Sequence, residues 1–224
     1  MDTNTRTEME GLYVAGEDAG GAHGSNRLGG NGVANSTVYG GVAGDTMAHD
    51  IQGMNALRDP DEAILDAEIE RARRPFGEAP APIGPLRRSL QDIMWDDVGV
   101  MRTEAGLKRG LHGVSETATH LLDVGVDDSA LAFNLTWHDW LNMASLTEVS
   151  EVITEAALAR ENSRGAHYRE DFPDEGDLDS SYFTVAQKVG DTLNVTREPV
   201  QFTIVKPGET ILPEGEPETL VAAE

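Results

Sequence analysis

The chain has 224 residues, 39% of them hydrophobic and 25% charged, enough to enclose one large or two small globular cores. Forty acidic against seventeen basic residues give a formal net charge of -23, which repels nucleic acid and anionic lipid, and the lack of cysteine removes disulfides, thiolate nucleophiles and cysteine-ligated clusters. No apolar run reaches the roughly 18 residues of a membrane span, and Met1 to Glu10 carries no apolar signal core.

In chain order, Gly11 to Gly16 predicts a short buried strand, apolar on both faces and closed by glycine. A glycine-rich loop follows. From Gly29-Gly30 onward, Val33, Ala34, Thr37, Val38, Gly41, Val42 and Ala43 recur at helical spacing, with side chains small enough for close packing on a sheet or ligand. Asp59 is an N-cap candidate before Pro60, Asp61 and Glu62, and a helix is expected to run to about Arg73. Pro75 to Pro85 reads as a proline-rich linker.

Leu86, Leu90, Ile93, Met94 and Val98 mark the next helix, starting at Pro85-Leu86. Leu107, Leu111, Val114 and Leu121 mark another from Thr103 to about Leu122. Leu141, Ala144, Val149, Val152, Ile153, Ala156 and Leu158 mark a third from about His138 to Asn162. Antiparallel helices with short connections make a small bundle. Tyr182 to Gln187 and Pro199 to Val205 read as strands, with Val189 to Asp191 as a turn between further pairing segments; Pro213 to Glu224 reads as a loose acidic tail.

Three chemical features converge near the N-terminus. Glu17 follows the strand where a ligand can approach the backbone, and its carboxylate suits sugar or ribityl hydroxyls. Arg27 offers a fixed cationic fork for a carboxylate. The helix opening near Asn31-Gly32-Val33 offers unpaired N–H groups and a positive dipole end that favour negative charge on a flavin ring. Tight structural packing explains a glycine-rich strand-loop-helix equally well.

The residues GLYVAGE (Gly11 to Glu17) and HGSNRLGGN (His23 to Asn31) resemble motifs of the succinate dehydrogenase and fumarate reductase flavoprotein subunits, a family that includes L-aspartate oxidase. ALARENSRGAHYREDFP (Ala157 to Pro173) is similar to a second family motif. The resemblance implies FAD as cofactor, with Glu17, Gly32 and Val33 contacting it, and Arg27 binding a carboxylate of a succinate- or fumarate-type dicarboxylate. It implies supporting roles for His23 and Asn26, His23 either orienting the loop or acting as a ligand. Arg164 and His167, with the charged residues beside Glu170 and Asp171, are expected to close the interface between helical and flavin domains. No other catalytic residue and no metal ligand is assigned. The family's glutamate before Ser163 is Asn162 here, and Gly32-Val33-Ala34-Asn35 replaces a commoner Ser-Leu-Leu-Asp.

The family's GxGxxG unit and capping domain have no counterpart in these residues. The expected fold is therefore α+β: the C-terminal part of an FAD-binding domain (strand, loop, helix) over 1–50, a helical domain over 51–170, and a β-containing region with the acidic tail over 171–224. The expected function is part of a flavin-dependent oxidoreductase that is inactive alone. Its partners would be an N-terminal FAD-binding and capping polypeptide and an iron–sulfur subunit receiving electrons, without nucleic acid or direct membrane insertion. The expected location is cytoplasmic, peripheral to the membrane through partner subunits. The alternative is a non-catalytic truncated flavoprotein or a helical interaction protein.

Overall fold

In the computed structural model, which describes residues 1–27, 29–53, 59–190 and 192–211, the chain runs α1 (Asn31–Asp50), α2 (Glu62–Arg73), α3 (Ile83–Asp96), β1 (Met101–Arg102), α4 (Glu104–Leu121), α5 (Leu135–Ala159), β2 (Tyr168–Arg169), β3 (Tyr182–Val189) and β4 (Thr192–Pro199). Side-chain caps start three of the helices. Asp61 accepts from the N–H groups of Ala63 and Ile64, Thr103 from Gly106 and Asn134 from Trp137. The second helix is thus capped by Asp61 and not by Asp59, because Asp61 is the residue that holds extended backbone beside free N–H groups.

Helices α3, α4 and α5 pack together around Leu90, Val114, Leu121, Trp140 and Met143. A second, smaller cluster joins Val98, Leu107 and Ala157. Close approach is built in: a Cβ on Gly110 would lie 2.6 Å from Val98 Cγ2, and one on Gly113 would lie 2.8 Å from Ile93 Cδ1. The buried face of α5 differs from the aliphatic stripe read in its sequence. Thr147, Ser150 and Thr154 are buried beside Met143 and Ala157, whereas Val149 and Ile153 are exposed. Buried hydroxyls are tolerated because they bond back into the helix, Thr154 Oγ1 donating to the Ser150 carbonyl at 2.7 Å and Thr147 Oγ1 to Ala144 at 2.8 Å.

Three sequence expectations change. Gly11 to Gly16 forms no strand; among the described residues it has one bridge, between Tyr13 and Arg6, and Leu12 is exposed. A strand needs a continuous hydrogen-bonded ladder to a neighbour, and here the pairing with the short segment at Arg6 stops at one bridge. The proline-rich stretch from Pro75 is exposed over 77–82 but anchored to the bundle: Pro75 is fully buried, Pro80 bridges Gly125, and Phe76 meets Trp137 edge-on at 5.1 Å. The second strand of the C-terminal hairpin is Thr192–Pro199 and not 199–205. Tyr182 pairs with Pro199 and Val189 with Thr192, which leaves Gly190 and Asp191 as the connection, Asp191 lying outside the described residues. Residues 213–224, read as a tail, also lie outside them.

One side chain ties the bundle to the residues beyond it. Arg169 is 1% exposed; it forms a bidentate pair with Asp171 at 2.7 and 2.8 Å and donates to the carbonyls of Ala157, Leu158 and Arg160 at the end of α5. Asp171 in turn accepts from the Glu104 N–H at the start of α4, at 2.7 Å. The hydrogen bonds from Arg169 hold the Asp171 carboxyl well below the usual carboxylate range. Removing Arg169 leaves the carbonyls at the end of α5 without their donor beside an Asp171 side chain that is partly exposed, so Arg169→Met is expected to cost about 1–3 kcal/mol of stability, read by urea unfolding.

Candidate functional site at the start of α1

The loop before α1 is fixed by one buried amide. Asn35, in the second turn of α1, donates from Nδ2 to the Gly16 carbonyl at 3.2 Å and sits with the same nitrogen 3.0 Å from His23 Nε2. The Gly16 contact orients the amide with Nδ2 toward His23, where that amide nitrogen is placed to donate to Nε2. Asn35 Oδ1 meets no partner among the described residues. Gly16 holds φ 88°, a left-handed turn that lets the chain leave 11–16 and pass over Ser36.

Helix α1 begins after Gly30 (φ 83°) with no side-chain cap and no acidic residue in its first turn. The N–H groups of that turn therefore face outward without a competing carboxylate. Arg27 lies directly over this turn: a Cβ on Gly32 would collide with its guanidinium. Among the described residues no carboxylate lies within ion-pair distance of Arg27. Glu17, Asn26, Arg27 and Val33 are exposed. At its far end α1 is anchored by Asp50, which accepts from Nε and Nη2 of Arg6, each at 2.8 Å, and from the Tyr13 hydroxyl at 2.7 Å.

The second motif meets the first through backbone. Gly165 (φ 56°) lies so close to Ser25 that a Cβ would run into the Ser25 carbonyl, and the Ala166 N–H donates to that carbonyl at 3.3 Å. Arg164 does not reach across. It donates to the carbonyls of Glu175 and Asp177 and to the Ser181 hydroxyl, bracing the segment that leads into β3. His167 Nδ1 accepts from Arg102 at 2.9 Å and its Nε2 faces the Arg160 carbonyl at 3.2 Å. Asn35, Arg102 and Arg160 are not among the site residues expected from the sequence. Asn35 shows there as a departure from the family pattern and Arg160 as a motif residue, while nothing in the sequence marks Arg102.

More than half of this chain, residues 87–212, matches the family described as fumarate reductase flavoprotein C-term, and residues 1–33 match the FAD binding domain. The chain belongs to the fumarate reductase flavoprotein family. It is 33% identical over 174 residues to a subunit of the fumarate reductase (CoM/CoB) of Methanothermobacter marburgensis, covering 78% of this chain and 31% of that one. The fumarate reductase flavoprotein subunit of Mycobacterium tuberculosis is 30% identical over 219 residues, 94% of this chain and 38% of the relative. A variant of E. coli quinol fumarate reductase superposes with a TM-score of 0.79 at 25% identity, covering 92% of this chain and 36% of that structure. The chain thus spans about a third of the length of the curated relatives it matches. The cofactor of this flavoprotein is FAD. The first turn of α1, without a side-chain cap or an acidic residue and overlaid by the Arg27 guanidinium, suits an anionic or electron-rich group.

Burial, and then the neighbouring Arg102, Arg160 and Arg169, push the His167 pKa down, while its bond to the Arg160 carbonyl pulls it up. The unfolded chain therefore takes up the proton first. The stability this residue contributes is fully present above about pH 6.5 and is lost as pH falls through the lower folded value. His167→Gln is expected to flatten the fall in unfolding free energy between roughly pH 7.5 and 5.5, measured by urea titration.

Proposed function

We propose that this chain supplies the isoalloxazine side of an FAD site and a substrate-binding arginine to a flavin-dependent oxidoreductase acting on a succinate- or fumarate-type dicarboxylate. The observation that carries the reading is Arg27: an exposed guanidinium with no carboxylate partner among the described residues, laid across the uncapped first turn of the helix that follows the flavin-binding segment. In this reading Glu17 binds ribityl or ribose hydroxyls, the backbone at Gly32 and Val33 faces the ring, and Arg27 grips one substrate carboxylate in bidentate fashion. FAD supplies the two-electron chemistry when bound. Fixing the dicarboxylate beside the ring contributes the positioning term of the rate.

His23 and Asn26 support the loop, His23 through its contact with Asn35; Arg164 and His167 support it from the second motif. Residues 1–50 then act as the flavin-facing part, 51–170 as the helical domain and 171–224 as the C-terminal region. The pyrophosphate cradle and the proton-transfer group come from polypeptide beyond these residues, in keeping with the third of the relatives' length that is spanned. Val33 and Val38, exposed on α1, are surfaces that such polypeptide would cover. Electrons pass onward to an iron–sulfur subunit in the cytoplasm, the assembly being peripheral to the membrane; among the described residues no helix is long and apolar enough to cross one.

Co-expression with the product of the neighbouring upstream gene tests this directly through the visible spectrum. A flavin-bearing complex with succinate-dependent dye reduction is expected, and a colourless complex would favour a non-catalytic chain. In the active complex, Arg27→Ala is expected to lower turnover by about 100-fold or more while flavin absorbance stays unchanged. Retained turnover would remove Arg27 from the substrate site.

A further inference from the structure

A cavity of about 670 Å³ opens between the Gly21 to Ser25 loop, the C-terminal half of α5 and the start of β3. Arg27 is not among its lining residues. Four potential cations line it: Arg102, Arg160, Arg164 and His167. No aspartate or glutamate does. The remaining wall is largely apolar, with Ile153, Phe183, Val200 and Phe202 on it.

Two of the arginines have unspent donors. Arg102 donates from Nε to the Val98 carbonyl and from Nη1 to His167. Arg160 donates from Nε to the Asn162 side-chain oxygen and from Nη1 to the Tyr182 carbonyl and the Thr184 hydroxyl, with its guanidinium 4.9 Å from the Tyr182 ring centroid. None of the described residues accepts from Nη2 of either arginine, and none offers a carboxylate within ion-pair distance of either. Every partner of Arg160 is neutral. Both guanidinium groups are half-buried, and burial lowers the pKa of each.

A half-buried cation without a counter-ion loses hydration and gains no compensating charge, and two of them at one cavity also repel. By contrast, the equally arginine-rich neighbour Arg169 has its own carboxylate, Asp171. An anionic oxygen pair entering this cavity would take up the Nη2 donors and cancel the excess charge, while an attached hydrocarbon would cover the apolar wall. We propose that this cavity is a second ligand site, for a small carboxylic acid with an aliphatic body, held at its head by Arg102 and Arg160.

The test uses the full chain and calorimetric titration with hexanoate, with acetate and sulfate as charge-only probes. Hexanoate is expected to bind saturably, and acetate and sulfate at least about 10-fold more weakly. Asn162→Asp gives Arg160 an internal carboxylate of nearly the same shape, and it is expected to weaken hexanoate by about 10-fold or more while leaving Tm unchanged or higher. Arg160→Gln is expected to weaken it similarly, and the Asp variant decides the matter if the Gln variant does not fold. Arg27→Ala is expected to leave hexanoate affinity unchanged, which separates this cavity from the dicarboxylate site. The proposal is overturned by any of four results: no saturable hexanoate binding up to about 10 mM, affinity unchanged in Asn162→Asp, equal affinity for acetate or sulfate, or loss of affinity in Arg27→Ala.

Discussion

The arrangement of this molecule depends on the pairing of the buried Arg169 with the partly exposed Asp171. The last carbonyls of α5 carry the negative end of a helix dipole and the first N–H groups of α4 the positive end. A guanidinium at the first and a carboxylate at the second satisfy both termini, and the two groups neutralise each other between them. Burying arginine to 1% exposure is tolerated because Nε, Nη1 and Nη2 each donate to oxygen in the planar geometry the group favours. The ring of Phe172 covers the guanidinium at 5.0 Å. The short parallel pairing of Met101 with Tyr168 and Arg102 with Arg169 follows from the same anchor.

From that anchor the chain between Arg160 and Asp171 is held as a loop, and its tip carries Gly165 and Ala166 to the Ser25 carbonyl. The helical bundle thereby acts on the proposed flavin-facing loop through backbone and at short range. On the other side the loop is held by Asn35 through the Gly16 carbonyl and His23. Arg27 projects from a segment gripped at both ends, which is the condition under which an exposed, unpaired guanidinium keeps a defined position. A protein with a net charge of -23 still keeps arginines without carboxylate partners in this region, a local reversal of sign that suits anionic ligands.

Much of this is legible in the sequence, for identifiable reasons. Helices α3 and α4 show because their core contacts are aliphatic and recur at the helical period, and Thr103 caps α4 within one residue of the expected start. The two motifs show because their glycines are demanded by geometry, as Gly165 is by Ser25. The burial of α5 does not show, because its inner face is built from threonine and serine whose hydroxyls are satisfied inside the helix, which a hydrophobic pattern cannot register. Gly11 to Gly16 looks like a strand because apolar runs resemble buried strands, but pairing is decided by neighbours and not by the run itself. Arg169 reads in the sequence as one of several charges closing an interface. Its burial depends on carbonyls about ten residues back and a helix start about sixty residues back, and no local signal carries that.

The central claim is that the Arg169 and Asp171 anchor holds the flavin-facing loop through Gly165 and Ala166. Hydrogen exchange on the wild-type chain and on Asp171→Asn addresses it most directly, with amides of α4 and α5 around Val114 and Met143 as the internal reference. The account predicts faster exchange at Ala166 and across His23 to Arg27 in the variant, with the reference amides still protected. Unchanged exchange at those loop amides, in a variant whose α4 start has nonetheless loosened, would contradict it.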